Sequence, residues 1–155
     1  MRPLIESGVD LHDLSADQRK ALVLDLYDQA TAAMRGAIET HGGFVCDRSP
    51  ADFAAFWLHY GFGGDAETDA FMSRTATDCA LVELTVLLPW GSIPLVDDGV
   101  RLSDRWRQLH FQTVVEGMSR RFFTGARLAE VPNGVTEIDE RIAWVCELAN
   151  GAPAT

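Results

Sequence analysis

The sequence predicts an all-α fold: one domain over residues 1–155, built as an antiparallel bundle of about five helices joined by short turns. Three observations carry this. Apolar residues recur at spacings of three and four along most of the chain. Nearly every periodic run opens on Ser, Thr or Asp and closes on glycine or proline. With 155 residues, 47% of them hydrophobic and 23% charged, the chain can bury one core unaided by metal or disulfide. Residues 1–7 and 152–155 are expected to be loose ends.

The first helix opens at Ser15, with Asp17 favouring the positive end of the helix dipole. Its apolar face is Leu22, Val23, Leu26, Tyr27, Ala30, Ala33, Met34, Ala37 and Ile38, and Gly42-Gly43 ends it. The second opens on Ser49-Pro50-Ala51-Asp52, a cap followed by proline at the first helical position. Phe53, Phe56, Trp57 and Tyr60 then fall on one stripe. Such a stripe reads first as core, and second as a partner surface or a pocket for a flat ligand.

A third helix is expected from the Asp65 cap through Leu88, and Cys79 to Leu88 is apolar enough to make it the most buried of the set. A strand is the competing reading of Val82 to Leu88, but continuity with Ala70 to Ala80 favours helix. Pro89 to Val96 follows as a hydrophobic loop. Ser103, with Asp104 beside it, opens the fourth helix, whose apolar side includes Trp106, Leu109, Val114, Met118 and Phe122. Leu128 to Val135, around Pro132-Asn133-Gly134, is read as a small hairpin. The last helix opens at Thr136 and turns Ile138, Ile142, Val145 and Leu148 to the core.

The formal net charge is −10, and it is unevenly placed. Residues 1–100 hold six Lys and Arg against sixteen Asp and Glu, whereas residues 101–155 hold seven of each. Long-range repulsion argues against direct nucleic-acid binding. The arginines at 101, 105, 107, 120, 121 and 127 are expected to pair with carboxylates of the acidic half. Asp78 and Glu83 are expected at an exposed edge or against an arginine of the fourth helix, with Glu83 the better candidate for a raised pKa. No apolar run is long enough to span a bilayer and no signal peptide is visible, so a soluble, cytoplasmic chain without membrane contact is expected.

The three cysteines, Cys46, Cys79 and Cys146, are widely spaced and expected to be reduced. Cys79 and Cys146 read as small buried hydrophobes, and Cys46 as the one thiol worth testing for reactivity. No phosphate-binding glycine loop, nucleophile elbow, metalloprotease motif or zinc spacing is present, and no cofactor or metal is expected. None of the four histidines has the Glu-x-x-His spacing of di-metal bundles.

Arg105-Trp106-Arg107-Gln108-Leu109-His110 resembles the R-x(4–6)-H motif of HEPN ribonucleases, a family of small all-α dimers. The resemblance covers six residues, and Arg35 to His41 has compatible spacing. It implies that His110 acts in general acid/base chemistry on a ribose 2′-hydroxyl, with Arg105 stabilising charge on phosphate.

Three function classes follow. The leading expectation is a small acidic protein-binding module, an inhibitor or immunity-type protein occupying a basic surface of a partner protein. The alternatives are an enzyme or small-molecule binder, including a metal-independent ribonuclease using Arg105 and His110, and a structural subunit. Binding candidates are Trp57, Tyr60, Trp90, Ile93, Leu95 and Trp106, and the loop around Trp90 is expected to support a homodimer.

Overall fold

A computed structural model describes residues 14–91 and 104–151 of the chain. It is 66% helix, with five helices and one two-stranded sheet among the described residues. Helix α1 spans Ala16–His41. The Ser15 hydroxyl accepts from Gln18 N at 3.2 Å, and the Gln18 side chain accepts from Ser15 N at 2.8 Å, so two orphan amides of the first turn are satisfied. The helix stops at Gly42, whose φ of 77° suits a residue without Cβ and whose N–H reaches Ile38 O at 2.9 Å.

Helix α2, Pro50–His59, is the centre of the molecule. Asp52 Oδ2 accepts from Ser49 N at 2.8 Å and so fixes its start. Ala51, Phe53, Ala54, Ala55, Phe56 and Trp57 are all buried, because α2 packs against α1 and against two further helices. Those are α3, Thr68–Cys79, and α4, Arg105–Phe122. The most buried helix is therefore the second, and the expectation placed on the third is corrected. A helix that is apolar on all sides must be enclosed on all sides, and the three alanines let its neighbours approach closely.

The reading of one helix from Asp65 to Leu88 is also corrected. Asp65 does not cap it: its carbonyl accepts from Thr68 N at 3.1 Å, and α3 starts after Glu67. The helix ends at Cys79, and Thr85–Leu87 is a strand, β1. Arg127 donates to Cys79 O at 2.5 Å and to Val82 O at 2.8 Å, adding to the Val82 N–H that already reaches Cys79 O at 3.2 Å. Beyond that point Val82, Thr85 and Val86 supply the β-branched side chains that suit a strand.

Strand β1 pairs in parallel with β2, Leu128–Glu130, in the register Thr85↔Leu128, Val86↔Ala129 and Leu87↔Glu130. The hairpin expected at 128–135 is thus replaced by a parallel pair. Two parallel strands need a crossover, and α4 lies between them in sequence. Pro132-Asn133-Gly134 still turns the chain, with Val135 N reaching Pro132 O at 2.9 Å.

Asp104 is the cap of α4, accepting from Trp106 N at 2.8 Å and Arg107 N at 3.2 Å. Val115, Met118 and Ser119 are its buried residues, while Trp106, expected on the apolar side, is exposed. Helix α5, Ile138–Ala149, follows Glu137 rather than Thr136 and buries no residue at all.

The charged groups also differ from expectation. Asp78 is 2% exposed, and it meets Arg35 of α1 and Arg74 of its own helix rather than an arginine of α4. Glu83 is exposed, as expected, but lies outside any helix. Among the described residues, carboxylates of the acidic half pair with its own cations, as in Lys20–Asp65 at 2.5 Å and Arg74–Asp28. Arg120 pairs with Glu130, close to it in sequence. Cys79 is buried, but Cys146 is exposed, contrary to expectation. No described helix is long and apolar enough to cross a membrane.

Candidate functional site

Two faces of the molecule are not explained by folding alone. The first is the outer stripe of α5. Ile138 is 72% exposed and Ile142, one turn on, is 56% exposed. Of the expected core side, Ile138 and Ile142 face outward, whereas Val145 and Leu148 are half-buried. Arg141 and Trp144, on the adjoining side, are half-buried, and Arg141 Nε donates to Val135 O at 2.9 Å. The helix therefore rests on the body along that edge and leaves the isoleucines bare. Glu137, Asp139, Glu140 and Glu147 are exposed around them.

The second face joins the end of α2 to the start of α4. His59, the last residue of α2, places Nδ1 3.2 Å from Nδ1 of His110. The His59 ring also packs edge-on to Phe111 at 5.2 Å between centroids. Burial holds the His59 pKa below its ordinary value, and His110 and Arg107 act in the same direction. Tyr60 stacks on Phe56 at 6.1 Å, and the Arg19 guanidinium lies 5.8 Å from its ring centre. The Arg48 guanidinium covers Phe56 at 5.0 Å. Burial raises the Tyr60 phenol, with Arg19, Arg107 and Arg48 opposing.

Arg105 has other neighbours. Its guanidinium lies 5.5 Å from the ring centre of Trp90 and 5.4 Å from that of Trp106. Five helical residues turn the axis through about 140°, so Arg105 and His110 leave α4 on different sides. Arg107 is three residues from His110, about 60° away, and is the arginine that acts on His59. Trp57 is wholly enclosed, its Nε1 donating to Phe62 O and Thr68 Oγ1, both at 3.0 Å. It is core and offers no surface. Tyr60 and Trp90 are half-buried and Trp106 is exposed, so all three retain some surface. Ile93 and Leu95 lie outside the described residues.

Compared with protein-family models, curated proteins and solved structures, the chain matches none. Function is read from these two faces. Among the described residues no group of three or more His, Cys, Asp or Glu side chains could hold a metal ion. His59, Arg19, Arg48 and Arg107 were not legible as a cluster, because they come from four separate stretches of sequence. The one available signal was Arg107 with His110, three apart on a strong helix.

Proposed function

We propose that the chain is a small acidic helical module that binds another protein, and that the outer stripe of α5 is the surface it presents. The supporting observation is that no residue of α5 is fully buried while Ile138 and Ile142 stand exposed. A helix of 12 residues is marginal in isolation and gains its stability from a covered apolar face. Burying each isoleucine in a partner's groove would contribute about 1.5–3 kcal/mol. This is the geometry of helix-in-groove recognition.

The carboxylates beside the stripe favour a basic partner. Glu137, Asp139, Glu140 and Glu147 outnumber Arg141 on this helix, and the chain carries −10 overall. The complementary surface is an apolar groove rimmed by lysine and arginine. An inhibitor or immunity-type protein occupying a basic surface fits that description, and the charge would accelerate encounter at low salt.

The test compares the wild-type chain with the double variant Ile138→Ser, Ile142→Ser. Both are tagged and used to capture proteins from cells that naturally make the chain. The expected result is a protein retained by the wild type, lost by the variant and weakened by added salt. Identical captured sets would contradict the proposal. Sedimentation of the two chains tests whether a second copy covers the stripe instead, through a dimer that the variant abolishes.

A further inference from the structure

We propose that His59, His110, Arg107 and Arg19, gathered around Tyr60, form a binding site for a phosphate oxyanion. This site is separate from the α5 surface and does not depend on it.

In a chain of net charge −10, the Arg19 guanidinium lies 5.8 Å from the Tyr60 ring centre, the His59 ring packs against Tyr60 at 5.4 Å between centroids, and His59 meets His110 at 3.2 Å. Arg19 comes from α1, Arg48 from the segment before α2, His59 from the end of α2, and Arg107 and His110 from α4. The charged groups near enough to act on Tyr60 are Arg19, Arg107 and Arg48, and those acting on His59 are His110 and Arg107. All are cationic or become so on protonation. Asp17, Asp65 and Glu67 line the hollow beside Tyr60 together with Lys20, which pairs with Asp65 and Glu67; repulsion among the remaining cations is relieved by an anion placed between them.

A second observation concerns Arg19. Its Nε is buried and has no hydrogen-bond partner among the described residues. A buried guanidinium donor without an acceptor is uncommon, and an oxyanion is the acceptor it matches best. The histidines supply further donors. At 3.2 Å, one neutral ring donates to the other through Nδ1. An entering oxyanion displaces that contact and accepts from both rings, which favours their protonated form. Tyr60 contributes a phenol that burial keeps protonated and therefore able to donate.

The same chemistry arises from a small phosphorylated molecule or from an RNA backbone, and the experiment separates them. Imidazole resonances of the full chain are followed by NMR during addition of inorganic phosphate, adenosine monophosphate or a single-stranded RNA oligonucleotide. Each titration is matched by sodium chloride of equal ionic strength. Sulfate, whose charge is constant between pH 5 and 8, provides the pH series.

The expected result is saturable movement of the His59 and His110 signals, with the His59 pKa raised by about one unit in the bound state. Sulfate should bind about tenfold more tightly at pH 5.5 than at pH 8. Arg107→Ala and His59→Gln should each weaken binding about tenfold or more while the melting temperature holds. Saturation by the nucleotide at lower concentration than the RNA identifies a small ligand, and the reverse order identifies a polymer; either supports the site. Shifts reproduced in full by chloride, or affinities untouched by both substitutions, would overturn the proposal.

Discussion

The hydroxyl of Tyr27 donates a 2.5 Å hydrogen bond to Oδ2 of Asp78, joining the middle of α1 to the end of α3 inside the core. Arg35 pairs with the other carboxylate oxygen, and the Arg74 guanidinium lies 4.6 Å from the Tyr27 ring centre. Both donors to the carboxylate come from α1. Replacing Tyr27 with Phe removes one donor and leaves a buried charged oxygen short of a partner. The expected cost is about 1–3 kcal/mol in urea denaturation. No loss would show that the carboxylate does not depend on the phenol.

The same pair sets the alkaline limit. Burial, and then the Asp78 carboxylate, hold the Tyr27 phenol well above its ordinary value. In the unfolded chain the phenol ionises near pH 10, whereas the folded chain keeps its proton. The unfolded state therefore binds fewer protons above that point, and stability falls as pH rises beyond about 10. Tyr27→Phe should flatten this decline, as denaturation curves between pH 8 and 11 would show.

The central helix makes a prediction by contrast. Phe53 of α2 is buried and its ring lies 5.8 Å from that of Tyr27, so Phe53→Ala should cost about 3–5 kcal/mol. Leu84 is half-buried in the segment before β1, so Leu84→Ala should cost about 1 kcal/mol. Equal losses would mean that the stretch after Cys79 bears as much of the core as α2.

How much was legible follows from the kind of signal each element carries. Ser15 with Gln18, and Ser49-Pro50 with Asp52, are local caps, and both helix starts were read to the residue. The end of α3 was not legible, because no glycine or proline marks it and the Arg127 side chain that bonds its last carbonyl comes from 48 residues beyond Cys79. The parallel pairing of Thr85 with Leu128 is equally remote, and a turn-centred reading of 128–135 could not reach it. For α5 the sequence marks which side is apolar, but periodicity cannot say whether anything covers it. Ile138 and Ile142 were assigned to a core that does not extend to them. The cation cluster at Tyr60 was hidden for the same reason as the pairing of β1 with β2: its members meet only through packing.

Thiol reactivity separates the three cysteines. Burial pushes the Cys79 thiol up to about 12, so it should resist modification in the folded chain. Cys46 and Cys146 are exposed. The Cys46 thiol is also raised by burial and donates to Arg48 O at 3.0 Å, but reagent can reach it. Labelling with a chromogenic disulfide at pH 8 should give two prompt equivalents, with the third appearing in denaturant. Three prompt equivalents would show that the end of α3 opens readily.

The proposed binding role rests on the outer stripe of α5 contributing nothing to the fold of the isolated chain. Urea denaturation of Ile138→Ser, Ile142→Ser against the wild type measures this directly. Residues 72% and 56% exposed should cost about 0.5 kcal/mol each or less when replaced, with the m-value unchanged. A loss of about 2–5 kcal/mol per residue, the range for a buried isoleucine, would place the stripe in the core and contradict the account.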